Sequence, residues 1–287
     1  MAIVGRVVEV WRYPVKSMGG ESLAQAAFGA LGIPGDRGWA LRDEAAGEMR
    51  GAKKLPVLMR CRARYDAEPG AGAVPPVTMT LPDGTTLRSG DADAAARLSA
   101  LTGRSVTLWP LQPPECTEHY RRGLPDNPDM DSELRQVFGR LPDEPLPDLS
   151  TIPPEIFEYT SPLGTYFDLF PLHLLTTASL RALAAKTPGS AFDVRRFRPN
   201  LLIEPSDGAQ GLVEIGWSGK TVRIGAATIS IVMPTMRCSM IAQAVDELAK
   251  DPAVLRTVVR DADQNLGVYA TVSQPGEVRV GDAVELV

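Results

Sequence analysis

The sequence predicts a mainly β chain with inserted helices, an α+β protein made of a β-barrel domain and a smaller N-terminal β-rich domain. Three observations carry that expectation. Short runs rich in β-branched and aromatic residues recur through the first hundred residues and again after Phe197, broken by Gly, Pro and Asp. The 26 glycines and 25 prolines follow no period, so they mark turns and ordered loops rather than a fibrous repeat. A few helices are inserted among the strands, without the βαβ alternation of a Rossmann sheet.

Along the chain, strands are expected at 3–13, 21–28, 37–42, 57–65 and 77–81. Pro82, Asp83 and Gly84 then make a hairpin turn into a strand at 85–88. Ala and Leu at helical spacing predict a helix over 91–101, with Gly103 placed to end it as a C-cap. From Trp109 to about Tyr166 the prolines are too dense for long elements, since each removes a backbone donor and restricts the residue before it. Tyr120, Leu124, Phe138, Leu141, Phe157 and Tyr159 are interleaved there, so the segment reads as an ordered lid with apolar side chains to bury.

A capped helix follows at 177–186, with Leu180 and Leu183 on one face. Strands are expected at 201–204, 221–224, 227–233, 267–272 and 278–286, and Pro234 is expected to end the third of these. Asp251 and Pro252 supply an N-cap and first position for a helix carrying Val254, Leu255, Val258 and Val259 on one side. The expected division is 1–109 for the N-terminal domain, 110–164 for a Pro-rich connecting or lid region, and 165–287 for the barrel.

Composition narrows the function. Thirty-five acidic and 30 basic side chains give a net charge of −5, which disfavours bulk attraction to nucleic acid. No run of 18 apolar residues occurs, and Arg6, Glu9 and Arg12 interrupt the start, so no membrane span and a cytoplasmic location are expected. Cys61, Cys116 and Cys238 form no CxxC pair, and His119 and His173 are too few for an imidazole-built zinc or iron site.

Several motifs fail as catalytic signatures. Gly219-Lys220-Thr221 has Glu214 where a P-loop needs glycine, and Gly216-Trp217-Ser218-Gly219 falls short of G-x-S-x-G, so both read as turn chemistry. Cys238 is different: it follows an apolar strand and sits beside Arg237, a setting that favours the thiolate needed to attack or to bind a soft metal. Lys16, Arg37 and Arg198 place cations at strand ends, and guanidinium forks match phosphate geometry. Cys61 reads as a core cysteine.

Taken together, YPVKS at 13–17, GDRGW at 35–39, RRFRPN at 195–200, PTMRC at 234–238 and GEVRVGDAVEL at 276–286 resemble the MOSC family in its two-part form with a MOSC N-terminal β-barrel domain. That form includes the amidoxime-reducing proteins. The resemblance implies the molybdenum cofactor, a pterin dithiolene with a phosphate tail. It implies Cys238 as metal ligand and catalytic residue, with Lys16, Ser17, Arg37, Arg198 and Asn200 as cofactor contacts. Thr176 and Thr177 are further hydroxyl candidates, and Arg237 a charge beside the cofactor.

The chain departs from that pattern at three places. TMRC replaces the CSRC of the amidoxime-reducing relatives, and Asp263-Gln264-Asn265 only partly matches their FGQN. No four-cysteine cluster follows the last strand, so electrons are expected from a separate donor protein. Neither pyridoxal phosphate nor an iron–sulfur cluster is expected. The implied activity is a molybdenum-dependent oxidoreductase reducing an N-hydroxylated or N-oxide small-molecule substrate. Two alternatives remain: a carrier of persulfide sulfur or molybdenum cofactor acting through Cys238, and a non-catalytic barrel binding a phosphorylated small molecule.

Overall fold

The computed structural model describes residues 2–70, 74–206 and 208–287. Its first half contains β1 (Ala2–Arg12), β2 (Glu21–Leu23), β3 (Gln25–Phe28), β4 (Trp39–Asp43), β5 (Glu48–Arg50), β6 (Arg62–Tyr65), β7 (Val77–Thr80), β8 (Thr86–Arg88), α1 (Ala94–Thr102) and β9 (Val106–Pro110). Three short helices follow: α2 (Thr117–Tyr120), α3 (Met130–Phe138) and α4 (Glu155–Glu158). Then come β10 (Leu172–Thr176), α5 (Thr177–Lys186), α6 (Val194–Phe197), β11 (Leu201–Pro205), β12 (Thr221–Ile224) and β13 (Ala227–Met236). The chain continues through α7 (Pro252–Asp261), β14 (Asn265–Gln274), β15 (Gly276–Arg279) and β16 (Ala283–Leu286).

Seven strands close a barrel in the order β11-β10-β14-β13-β12-β16-β1, with β1 pairing back onto β11. The closing strand is therefore the first one in the chain. On β1, Gly5, Val7, Val10 and Arg12 are buried while Arg6 and Val8 face outward, and the step from 7 to 10 coincides with a register shift between Val7 and Glu9. That bulge returns the apolar face to the barrel interior, where Val7 and Val10 meet Leu174, Ile203, Val222, Ile229, Val268 and Val284. Each such burial contributes about 1.5–3 kcal/mol relative to an exposed side chain.

Strands β4 to β9 form two three-stranded sheets, β5-β4-β9 and β6-β7-β8, around Val15, Leu41, Leu58, Met79 and Leu98. The mainly β architecture, with a closed barrel and a β-rich N-terminal unit, is as the sequence predicts. Local details differ for physical reasons. The run at 21–28 is two strands, because β2 continues on β1 while β3 leaves to pair with β15. The run at 57–65 begins as a 3₁₀ helix, Pro56–Arg60, before β6; a short buried apolar run has no period to separate the two.

Pro234 does not end β13. It is accommodated where the pairing with β14 is irregular, between Pro234 and Met236. The run at 278–286 is β15 and β16 around a turn with Gly281 at φ +97°. A parallel pair also appears, β10 with β11, joined through α5 and α6. Its strand β10 is buried at every position, so it lacked the alternation that marks a strand. Thr176, rather than Thr177, caps α5 by accepting from the Ser179 amide. Gly103 ends α1 in the left-handed conformation, and Asp251 caps α7 as expected. In the Pro-rich region Tyr120 is fully buried, whereas Leu124 and Phe157 stay exposed.

Candidate functional site

A cleft lies where the turns of the first half meet the ends of β10, β11 and β13. Two chain crossings build its floor. Lys16 N donates to Trp39 O at 2.8 Å, and Arg37 N donates to Tyr13 O at 2.7 Å, so the turns holding Lys16 and Arg37 are tied together. Asp36 locks this pair to the barrel: its carboxylate accepts from the Tyr13 amide at 2.7 Å and from Asn200 Nδ2 at 2.9 Å, and pairs with Arg37.

Lys16, Ser17, Arg37, Arg198, Asn200, Arg237 and Cys238 all line this one cleft. Thr176 and Thr177 do not. Thr176 is buried and bonded to Glu214 and Ser179, and Thr177 is bonded to Glu204, so their hydroxyls are committed to holding α5. Asn200 faces the cleft but uses its amide on protein, accepting from His173 N and donating to Asp36 and Trp11 O. It orients the wall rather than offering free groups.

The polar groups left over are concentrated here. Among the described residues, six buried side-chain polar atoms lack a hydrogen-bond partner, and four belong to cleft residues: His173 Nε2, Arg198 Nη1, Thr235 Oγ1 and Arg237 Nε. Leaving such a group unpaired costs about 1–3 kcal/mol, and more when it is charged. Neither Arg198 nor Arg237 is within ion-pair distance of a carboxylate among the described residues, and both are buried. Burial, reinforced by the nearby Arg37, lowers the Arg198 pKa to about 10, and burial lowers that of Arg237 as well.

Backbone strain gathers in the same place. Ser17, Arg37 and Arg198 have φ of +72°, +52° and +55°, in the left-handed region that non-glycine residues avoid. Ser17 is held there because its Oγ accepts the Ala52 amide at 2.8 Å. Arg198 ends α6 in that conformation, and its guanidinium lies over the Tyr13 ring.

At the mouth, Lys16 Nζ reaches Asp168 Oδ1 at 2.9 Å and the Tyr166 carbonyl at 2.7 Å, and Lys53 approaches the other Asp168 oxygen at 3.6 Å. Burial lowers the Lys16 pKa against the pull of Asp168. Burial alone would raise Asp168, but Lys16 and Lys53 hold it well below the usual carboxylate range, so it stays ionised. His173 is held neutral by burial and by the nearby Arg237. Phe170, Met236, Met240 and Tyr269 supply the apolar wall around Cys238, which is partly exposed; Cys61 is fully buried and Cys116 lies on the surface. A second cavity of about 250 Å³ adjoins at Arg198, lined by Trp11, Gly19, Gly20, Met59 and Val245.

Residues 4–113 match the family described as MOSC N-terminal beta barrel domain, and residues 165–285 match the MOSC domain. The chain is a two-part MOSC protein. It is 26% identical over 318 residues to mitochondrial amidoxime-reducing component 1 of Mus musculus, a match covering 99% of this chain and 82% of that one. Among solved structures, the YUAD protein of Bacillus subtilis matches 99% of this MOSC chain and 96% of its own at 12% identity, with a TM-score of 0.44. YiiM of Geobacillus stearothermophilus matches 41% of this chain and about half of its own length (54%), at 18% identity and a TM-score of 0.33.

Both MOSC segments contribute to the cleft. Lys16, Ser17 and Arg37 come from the first, and Arg198, Asn200, Arg237 and Cys238 from the second. Sequence reasoning did not single out Thr235, Phe170 or Tyr269, and it weighed His173 only as one of two histidines too few for an imidazole-built metal site. Thr235 sits inside the PTMRC motif, which was the available signal; His173 and Tyr269 are set opposite each other only by the pairing of β10 with β14, and Phe170 packs against the Tyr269 ring.

Proposed function

We propose that this MOSC protein is a molybdenum-cofactor-binding oxidoreductase that reduces N-hydroxylated or N-oxide small molecules with electrons from a separate redox protein. The observation that carries this reading is the gathering of unpartnered buried donors and unpaired cations around one accessible thiol. A polyanionic ligand with a soft metal meets both demands: guanidinium and ammonium groups for its phosphate, and sulfur for its metal. Membership of the MOSC family supports a function related to that cofactor, and the named activity of the Mus musculus relative supports the substrate class.

In this reading Cys238 binds the metal. Lys16, Arg37 and Arg198 balance the anionic tail, and the hydroxyls of Ser17 and Thr235 donate to it. The bound cofactor would supply two-electron removal of oxygen from nitrogen. The protein orients it, neutralises its charge and limits water through Phe170, Met236, Met240 and Tyr269. Asp168, held ionised, accepts hydrogen bonds at the mouth rather than donating a proton.

Expression in a host that makes the cofactor tests this. Near-stoichiometric molybdenum in the parent and its loss in Cys238→Ala are expected, and parent protein without molybdenum overturns the reading. Sulfane sulfur on Cys238 of metal-free protein would favour the persulfide carrier instead. Anion binding unaffected by Cys238→Ala, with no molybdenum, would favour the non-catalytic barrel.

A further inference from the structure

Residues 114–164 lie outside both MOSC segments, yet one side chain from this stretch reaches the loop that carries Cys238. Arg140 follows α3 and is 5% exposed. Its guanidinium donates from all three nitrogens: to Phe138 O at 2.5 Å, to Gln264 Oε1 at 2.9 Å and to Arg237 O at 3.0 Å. The last two acceptors are the residue before Cys238 and the turn bonded to that residue. Arg237 O belongs to the peptide that leads into Cys238, and Gln264 accepts the Arg237 amide on its own carbonyl at 2.9 Å.

Two further features mark this as a built arrangement. Asp263 and Gln264 are consecutive non-glycine residues at positive φ, +44° and +67°, a turn that persists only where its surroundings hold it. On the other side of Cys238, Ser239 Oγ donates to Val137 O at 2.9 Å, so the end of α3 holds the loop both before and after the thiol. Arg256 secures the same end, bonding to Gly139 O and pairing with Glu144. Arg140 stays charged although burial, with Arg256 nearby, lowers its pKa to about 10.

We propose that Arg140 is a positioning residue for Cys238: its fork ties the Arg237 carbonyl to the Gln264 turn and so fixes the direction in which the thiol enters the cleft. Arg140 does not line the cleft, so it acts through the loop and not on a ligand. The role assigned to Cys238 rests on the proposed function, whereas the mechanical link does not.

Backbone hydrogen exchange on metal-free protein separates the two. In Arg140→Gln the Arg237 amide should exchange about tenfold faster, while barrel amides such as Val268 and Ile231 keep their rates. Arg140→Lys should not restore protection, because one ammonium cannot hold both acceptors in the fork geometry. Gln264→Ala, which leaves Arg140 charged, should accelerate the same amide about threefold. In cofactor-loaded enzyme, Arg140→Gln should lower kcat about tenfold with KM within about twofold, since no substrate contact is removed. An unchanged Arg237 amide in Arg140→Gln, or full recovery in Arg140→Lys, overturns the proposal. If Arg140→Gln accelerates barrel amides equally, or does not fold, Gln264→Ala decides: no local change there overturns it. Parent protein lacking molybdenum would sink the cofactor reading while leaving the exchange result standing.

Discussion

The guanidinium carbon of Arg198 lies 4.3 Å from the centre of the Tyr13 ring, joining the end of the first strand to the residue that closes α6. Stacking of this kind contributes about 0.5–2 kcal/mol. Against it stand the left-handed backbone of Arg198, about 1–3 kcal/mol, and a buried cation with one nitrogen unpartnered.

Arg198→Gly follows from that balance. Relief of strain and of the unpaired charge should offset the lost stacking and the added chain entropy, so the variant should melt within about 2 °C of the parent. Molybdenum retention should fall by about tenfold. Thermal melts and metal analysis on the same samples check this, and a drop in Tm beyond about 4 °C would show that Arg198 serves stability instead.

His173 gives a pH dependence with a defined sign. Burial and Arg237 depress its folded-state pKa well below the ordinary value of 6.5. The unfolded chain therefore takes up a proton that the folded chain refuses, and stability falls as pH drops below about 6.5, by about 1.4 kcal/mol per pH unit at most. His119, also depressed by burial, adds a smaller part. Denaturation of parent and His173→Gln between pH 7 and 5 should show the flatter profile in the variant; parallel profiles would refute the assignment.

Asp168 acts at the acid end. Its pKa is held down by Lys16 and Lys53, so its stabilisation is complete above the ordinary carboxylate value and is lost as pH falls through the folded one. The side chain is 40% exposed, so screening limits the effect to about 1 kcal/mol. Asp168→Asn should lower stability by that amount at pH 7, less at high salt, and the gap to the parent should close in acid. Denaturant titrations at two salt concentrations and two pH values measure it.

Gly267→Ala should be among the most damaging single substitutions. Its φ is +79°, and an added Cβ would meet His173 Nε2 at 2.2 Å and Leu174 O at 2.7 Å. A loss of at least about 3 kcal/mol is expected from the clash and the backbone together. A Tm within about 3 °C of the parent would show that β10 and β14 can separate freely.

Much of this was legible before any coordinates. The cations and thiol that line the cleft were readable because short polar motifs at strand ends need little tertiary context. Thr176 and Thr177 were misplaced because a hydroxyl at a helix start serves the cap as readily as a ligand, and only the folded contacts with buried Glu214 and half-exposed Glu204 reveal which. Arg140 gave no local signal at all: beyond the nearby Phe138 carbonyl, its partners are the Arg237 carbonyl and the Gln264 side chain, brought near only by folding. The strain at Ser17, Arg37 and Arg198 was equally silent, since none is the glycine or asparagine that usually announces a left-handed turn.

The ring that closes through β1 also sets an order of events in synthesis. Ala2–Arg12 leaves the ribosome well before its two barrel neighbours, Leu201–Pro205 and Ala283–Leu286, which come in the last third of the sequence. Until then an apolar strand has exposed edges, and its non-local pairing makes closure slow. Nascent chains that stall before Ala283 therefore carry an open, adhesive seam, and chaperone occupancy should persist until that point is passed.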